Sequence, residues 1–70
     1  MRTWLKNLRE EKGLTQLELA ELSNVERTTY ASIEQGRRNP SVANAMRIAE
    51  VLNVEWTIFL TQKYAIRHKN

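Results

Sequence analysis

The 70 residues include no cysteine, one proline, two glycines and one histidine. Without cysteine there are neither disulfides nor thiolate metal sites, and a reducing cytoplasm is the natural home for the chain. Two glycines, Gly13 and Gly36, stand too far apart to build a phosphate-cradling loop. The lone histidine, His68, lies in a basic tail beside Lys69, where solvation is the simplest expectation. No cluster of carboxylates is assembled for metal or acid-base work, so an enzyme is a poor reading and no metal or cofactor is expected. Long apolar runs are missing too. The segment MRTWLKNLREEKG is charged every few residues and suits neither a signal peptide nor a membrane span, which implies a soluble protein with no membrane partner.

Length bounds what remains. Seventy residues allow one domain that buries roughly 60 per cent of the surface its unfolded chain exposes. Nearly every element must therefore share one core, and no second functional module, effector pocket or regulatory domain fits. The net charge of +3 and isoelectric point near 9.7 suit a polyanionic partner without requiring one. The distribution says more. Glu10, Glu11, Glu18 and Glu21 fall on the outer faces of the first two predicted helices, whereas Arg27, Arg37 and Arg38 fall on or beside the third, which makes one face positive.

The pattern is helical throughout, with no strand, repeat or low-complexity segment. Trp4, Leu5 and Leu8 recur at helical spacing and Gly13 stops that helix, which predicts helix one over about residues 2 to 12. Thr15 stands three residues before Glu18, the spacing at which a hydroxyl caps a helix amide and a glutamate reaches back to the cap. Helix two then begins at Gln16, carries an apolar stripe of Leu19, Ala20 and Leu22, and ends near Ser23. Asn24 tolerates the left-handed backbone that a sharp turn demands. Helix three follows from about Glu26 to Gln35, with Val25, Tyr30 and Ile33 directed into the core and Gly36 as the stop. Pro40 and Ser41 punctuate the start of helix four, whose predicted stripe is Val42, Ala45, Met46, Ala49 and Leu52, ending near Asn53. A short fifth helix is predicted to close the core with Trp56, Phe59 and Leu60.

Two short helices joined by one tight turn, over Gln16 to Gln35, form the arrangement used to place a reading helix in DNA. The outward face of the second carries Arg27, Thr28, Ala31, Ser32 and Gln35. Arginine can donate two bonds to the O6 and N7 edge of guanine, threonine can bond a base or touch a thymine methyl, and small alanine or serine lets a helix sit deep in the major groove. Phosphate binders flank it: Gln16 at a helix N-terminus, and Gln35, Arg37, Arg38 and Asn39 beyond helix three. Taken alone, two arginines beside a glycine fit a solvated loop equally well.

The stretch LREEKGLTQLELAELSNVERTTYASIEQGRRNPSVANAMRIAEVLNVEW resembles the phage-repressor and Cro-like helix-turn-helix family over about residues 5 to 60. The resemblance rests on linked features: LTQ opening helix two, LA in its middle, a valine after the turn, IEQG ending helix three, RRNPSV in the loop and IAEVLNV ending helix four. It implies an all-α, compact five-helix bundle of the lambda-repressor-like type, with residues 1–60 as the DNA-binding domain and 61–70 as a tail or helix extension. By the same resemblance Gln16 binds phosphate and braces the first reading side chain, Arg27, Thr28 and Ser32 address bases, and Gln35 with the Arg37–Asn39 loop contacts the backbone; Ala31, on the same outward face, is assigned to base reading beside them. Arg9 and Glu34 match a pair that bridges helix one to helix three. Three positions depart from the pattern. Glu26 stands in place of a serine or threonine cap, Asn24 in place of the turn glycine, and Tyr30 in place of an aliphatic core residue, so that its hydroxyl needs a partner.

The function implied is sequence-specific recognition of a double-stranded, pseudo-palindromic DNA operator by a cytoplasmic transcriptional repressor of phage or mobile-element type. One reading helix covers too few base pairs for useful specificity, so a homodimer is expected, with half-sites about 34 Å apart. Trp56 and Phe59 are assigned to the core, and Ile58, Tyr64 and Ile66 to the dimer interface. Two rivals stand beside this reading. An antitoxin or restriction-modification controller would use the same domain with a different partner, and a protein-interaction module would present its basic face to an acidic protein.

Overall fold

The computed structural model describes residues 1–61, and these form five helices: α1 (Thr3–Glu11), α2 (Gln16–Ser23), α3 (Arg27–Glu34), α4 (Val42–Leu52) and α5 (Ile58–Thr61). Among the described residues there is no strand, and no helix is long and apolar enough to cross a membrane. Two helix starts follow directly from local chemistry. The Thr15 hydroxyl accepts from the Glu18 amide at 3.0 Å while the Glu18 carboxylate accepts from the Thr15 amide at 2.8 Å, so both members of the capping box are satisfied. The Ser41 hydroxyl accepts from the Asn44 amide at 3.1 Å and starts α4. Glu26 behaves differently: it occupies the cap position of α3, yet its carboxylate takes no amide bond there.

The helix ends share one device. Among the described residues those with positive φ are Gly13, Asn24, Gly36 and Asn53, one after each of the four longer helices. At each, the next residue's amide reaches back five positions: Leu14 to Arg9, Val25 to Ala20, Arg37 to Ser32 and Val54 to Ala49, at 3.2, 2.9, 2.9 and 3.0 Å. This is the Schellman arrangement, which satisfies carbonyls that the helix leaves open and turns the chain sharply. Between α2 and α3 the turn is only Asn24, Val25 and Glu26, with Val25 plugged into the core at 7 % exposure. A short turn anchored at both sides fixes the angle at which α3 leaves the bundle.

The core gathers Leu5, Leu19, Ala20, Val25, Tyr30, Ile33, Ile48, Ala49, Leu52, Val54 and Ile58, with Trp4, Leu8, Leu14, Val51, Trp56 and Phe59 packed against it. Trp4 and Phe59 meet edge to face at 5.1 Å between centroids, tying α1 to α5. Several inward assignments are corrected. Leu22, Val42, Met46 and Leu60 are all more than half exposed. On α4 the buried face is Ala45, Ile48, Ala49 and Leu52, and Met46 stands about 100° around the helix from Ala45. On α2 the inward position after Ala20 belongs to Ser23, whose hydroxyl donates back to the Leu19 carbonyl at 2.7 Å and so hides its polarity within its own helix.

Ile58 is a further correction. Expected at a partner interface, it is 1 % exposed because the single turn of α5 directs it inward and leaves Leu60 outside. A side chain sealed in this way cannot meet a second molecule. Tyr64 and Ile66, assigned with it, lie outside the described residues.

Candidate nucleic-acid interface

Helix α3 divides cleanly into two faces. Tyr30, Ile33 and Glu34 are buried. Arg27, Thr28 and Gln35 are exposed, and Ala31 and Ser32 are half-buried. Thr28, Ala31, Ser32 and Gln35 follow the i, i+3, i+4, i+7 rule and form one outward stripe, which begins beside Arg27 at the helix start. Small side chains at its middle, Ala31 and Ser32, keep little bulk over the backbone of α3 there. Beyond Gly36, Arg37, Arg38 and Asn39 are all exposed, and the Arg38 guanidinium reaches back to the Thr29 hydroxyl at 3.5 Å. A polar cleft lined by Thr29, Arg38, Asn39, Ser41 and Asn44 separates this loop and the start of α4 from α3.

Below the stripe lies a charged anchor. The Glu34 carboxylate, 1 % exposed, accepts from Arg9 Nε at 2.9 Å and Arg9 Nη2 at 3.0 Å, a two-point fork. The Tyr30 hydroxyl donates to the same carboxylate at 2.7 Å, which supplies the partner its position demands. Gln16 Nε2 adds a fourth bond at 3.2 Å. Arg9 spends its remaining nitrogen on the Leu14 carbonyl at 2.8 Å. Burial alone would raise the Glu34 carboxyl, but the bonds from Arg9, Tyr30 and Gln16 outweigh it and hold the group below its ordinary value. The bond to Glu34 outweighs burial for Arg9 and strengthens its charge. Burial, reinforced by that same carboxylate, pushes the Tyr30 hydroxyl far up. All three groups are therefore locked in the states that bind one another.

Gln16 thus joins two of the assigned positions. Its amide is tethered to α3 by one hydrogen, so the first residue of α2 and the last residue of α3 are held side by side. Arg37, Arg38 and Asn39 follow directly in the loop. One residue in this region was missed by sequence reasoning. Arg2 donates from its backbone to the Glu34 carbonyl at 2.7 Å and from its side chain to the Ile33 carbonyl, the Arg38 carbonyl and Asn39 Oδ1. Its partners lie more than 30 residues away in the chain, so no local pattern pointed to them.

With this geometry in place, similarity to known proteins becomes informative. Residues 5–59 match a family described as helix-turn-helix. The chain belongs to the helix-turn-helix family. Over 59 residues it is 49 % identical to the HTH-type transcriptional regulator YqaF of Bacillus subtilis, covering 84 % of this chain and 78 % of that protein. It is 32 % identical over 65 residues to the immunity repressor protein of Bacillus phage phi105, covering 93 % of this chain but 45 % of the repressor. Among solved structures, the N-terminal DNA-binding domain of SinR from Bacillus subtilis superposes with a TM-score of 0.78 at 35 % identity, covering 84 % of this chain and 87 % of that one. These relatives are named for regulation and none for catalysis. Within this helix-turn-helix, α2 and α3 are the paired helices and Asn24 makes the turn with φ 59°, the left-handed geometry for which the family pattern uses glycine.

Proposed function

We propose that the chain is a sequence-specific, double-stranded-DNA-binding transcriptional regulator of repressor type that reads the major groove with α3. The observation that carries this is the outward stripe Thr28, Ala31, Ser32 and Gln35, with Arg27 at its head, mounted on a helix whose other face is anchored by a buried ion pair. Sites on rigid helices hold their side chains at the tolerance that base reading needs. Arg27, Thr28, Ala31 and Ser32 address base edges. Gln16, Gln35, Arg37, Arg38 and Asn39 address phosphates on either side. Gln16 has one amide hydrogen on Glu34 and a second to give to a phosphate oxygen. Likeness to a phage immunity repressor supports the repressor sense, and a reducing cytoplasm fits a chain without cysteine.

The experiment is selection of a site from random DNA followed by affinity measurements over a salt series. Arg27→Ala is expected to relax preference at one half-site position by about 1 to 3 kcal/mol. Arg38→Ala should weaken all sequences alike and lower the salt slope by about 1. Equal effects of both substitutions on the selected site and on random DNA would refute this division of labour.

A homodimer completes the reading. The supporting surface is an uncharged groove lined by Asn39, Pro40, Val42, Ala45, Trp56, Phe59 and Leu60, in which Val42 and Leu60 are 58 % and 71 % exposed. It adjoins the Arg37–Asn39 loop, and reading two half-sites requires a second copy that sets its α3 about 34 Å from the first. Leu60→Glu is expected to shift sedimentation to monomer and to weaken operator binding while leaving the circular dichroism spectrum unchanged. A native chain that sediments as monomer at high micromolar concentration, with and without DNA, would remove the dimer from the account.

A further inference from the structure

We propose that Arg2 is a positioning residue for DNA binding: it holds the Arg37–Asn39 loop in the shape that meets the phosphate backbone. The inference rests on the DNA-binding reading above and concerns a residue that lies outside the recognition helix.

The end of α3 defines the problem. Its last carbonyls need partners, and α3 has no basic residue in its last turn. Ala31 and Ser32 carbonyls accept from the Gln35 and Arg37 amides, and Ile33 from Gly36, which leaves Glu34 to an outside donor. That donor is the Arg2 amide at 2.7 Å. The Arg2 guanidinium then adds a bond to the Ile33 carbonyl and brings its charge to the negative end of the helix.

From there the same guanidinium extends into the loop. Nη1 reaches the Arg38 carbonyl at 3.2 Å and Nη2 reaches Asn39 Oδ1 at 2.6 Å. Phe59 lies against it with its ring centroid 5.9 Å away, within reach of a cation–π contact. One planar fork therefore spans the end of α3 and two loop residues, and an aromatic ring backs it. Arg38 and Asn39 have few other restraints among the described residues, the long Arg38–Thr29 contact being the main one. The order that Arg2 gives the loop matters because an unrestrained loop must lose its freedom on meeting DNA, which weakens binding. Lysine would keep the charge but not the fork.

The test uses the full chain and the selected operator at fixed salt, with Arg2→Ala, Arg2→Lys and Asn39→Ala, singly and as the Ala/Ala double. Arg2→Ala is expected to weaken binding about tenfold and Arg2→Lys about fivefold. In the Asn39→Ala background the Arg2→Ala loss should shrink to threefold or less, since part of what Arg2 holds is already gone. Arg2→Lys binding like the native chain would overturn the inference in favour of a plain charge contact, and a full tenfold loss in both backgrounds would overturn it as well. Nuclear magnetic resonance of the DNA-free protein gives an independent readout. The Asn39 side-chain amide and the backbone amides of residues 37–39 should shift in both Arg2 variants while core resonances stay in place. Unmoved loop resonances refute the positioning role even if the operator experiments fail because the DNA-binding reading is wrong.

Discussion

Glu34→Ala is expected to remove about 3–5 kcal/mol of stability, because it leaves the Arg9 guanidinium buried without its counter-charge. The carboxylate serves four donors on three side chains, and truncation strands all of them at once. A domain of this size has roughly 4–10 kcal/mol in total, so most of it disappears and thermal unfolding falls by more than about 15 °C. The double change Arg9→Met with Glu34→Leu should recover part of the loss, since replacing both charges avoids the desolvation that either one alone imposes, while the buried Tyr30 hydroxyl still lacks its acceptor. Urea titration of the native chain and the two variants checks this, and a Glu34→Ala loss under about 1 kcal/mol would show that the pair behaves as a surface bridge.

The same network sets a pH dependence with a defined sign. Glu34 is held below its ordinary value of 4.5, so its contribution is complete above pH 4.5 and is lost as pH falls through the lower folded value. Tyr30 is shifted upward from 10.0. Its contribution is complete below pH 10, and above that the unfolded chain gains by releasing a proton that the folded chain retains. Glu34→Gln should flatten the acid limb of a stability–pH profile, and Tyr30→Phe should flatten the part of the alkaline limb due to Tyr30.

The second large effect concerns binding. Thr28→Glu is expected to abolish operator binding, by several hundredfold or more, without unfolding the protein. Thr28 is exposed on the outward stripe, and glutamate is a good helix former near a helix N-terminus, so the fold has no reason to suffer. In the complex the new carboxylate would face bases and phosphates across a few ångströms, and like charges juxtaposed at an interface cost several kcal/mol. Leu22→Glu, also exposed but on α2 away from the assigned DNA contacts, is the control for an added negative charge and should act mainly through a modest salt-sensitive loss. If the two substitutions weakened binding equally, the effect would be net charge and not the face of α3.

Legibility in the sequence followed the range of each interaction. Thr15 with Glu18, Ser41 with Asn44, and the left-handed residues Asn24 and Gly36 were readable because cap and partner lie within a few positions. The exposed stripe of α3 followed from helical spacing around Tyr30 and Ile33. Leu22 is expected inside because hydropathy favours leucine there, whereas Ser23 takes the inward place by satisfying its hydroxyl within its own helix. Ile58 was placed outside because a helix of one turn has too few residues for a stripe to declare its direction. Arg9 and Glu34 are 25 residues apart and were paired through family resemblance, not spacing. Arg2 had neither route: its partners are distant and the resemblance begins at residue 5.

The claim on which the account turns is that α3 enters the major groove with Arg27 at a guanine edge. Methylation interference on the selected operator addresses it directly, because methyl groups at guanine N7 project into the major groove and those at adenine N3 into the minor groove. N7 methylation is expected to block binding at defined guanines in each half-site, and Arg27→Ala to become indifferent to methylation at one of them. Binding that tolerates every N7 methyl but fails on adenine N3 methylation would contradict it.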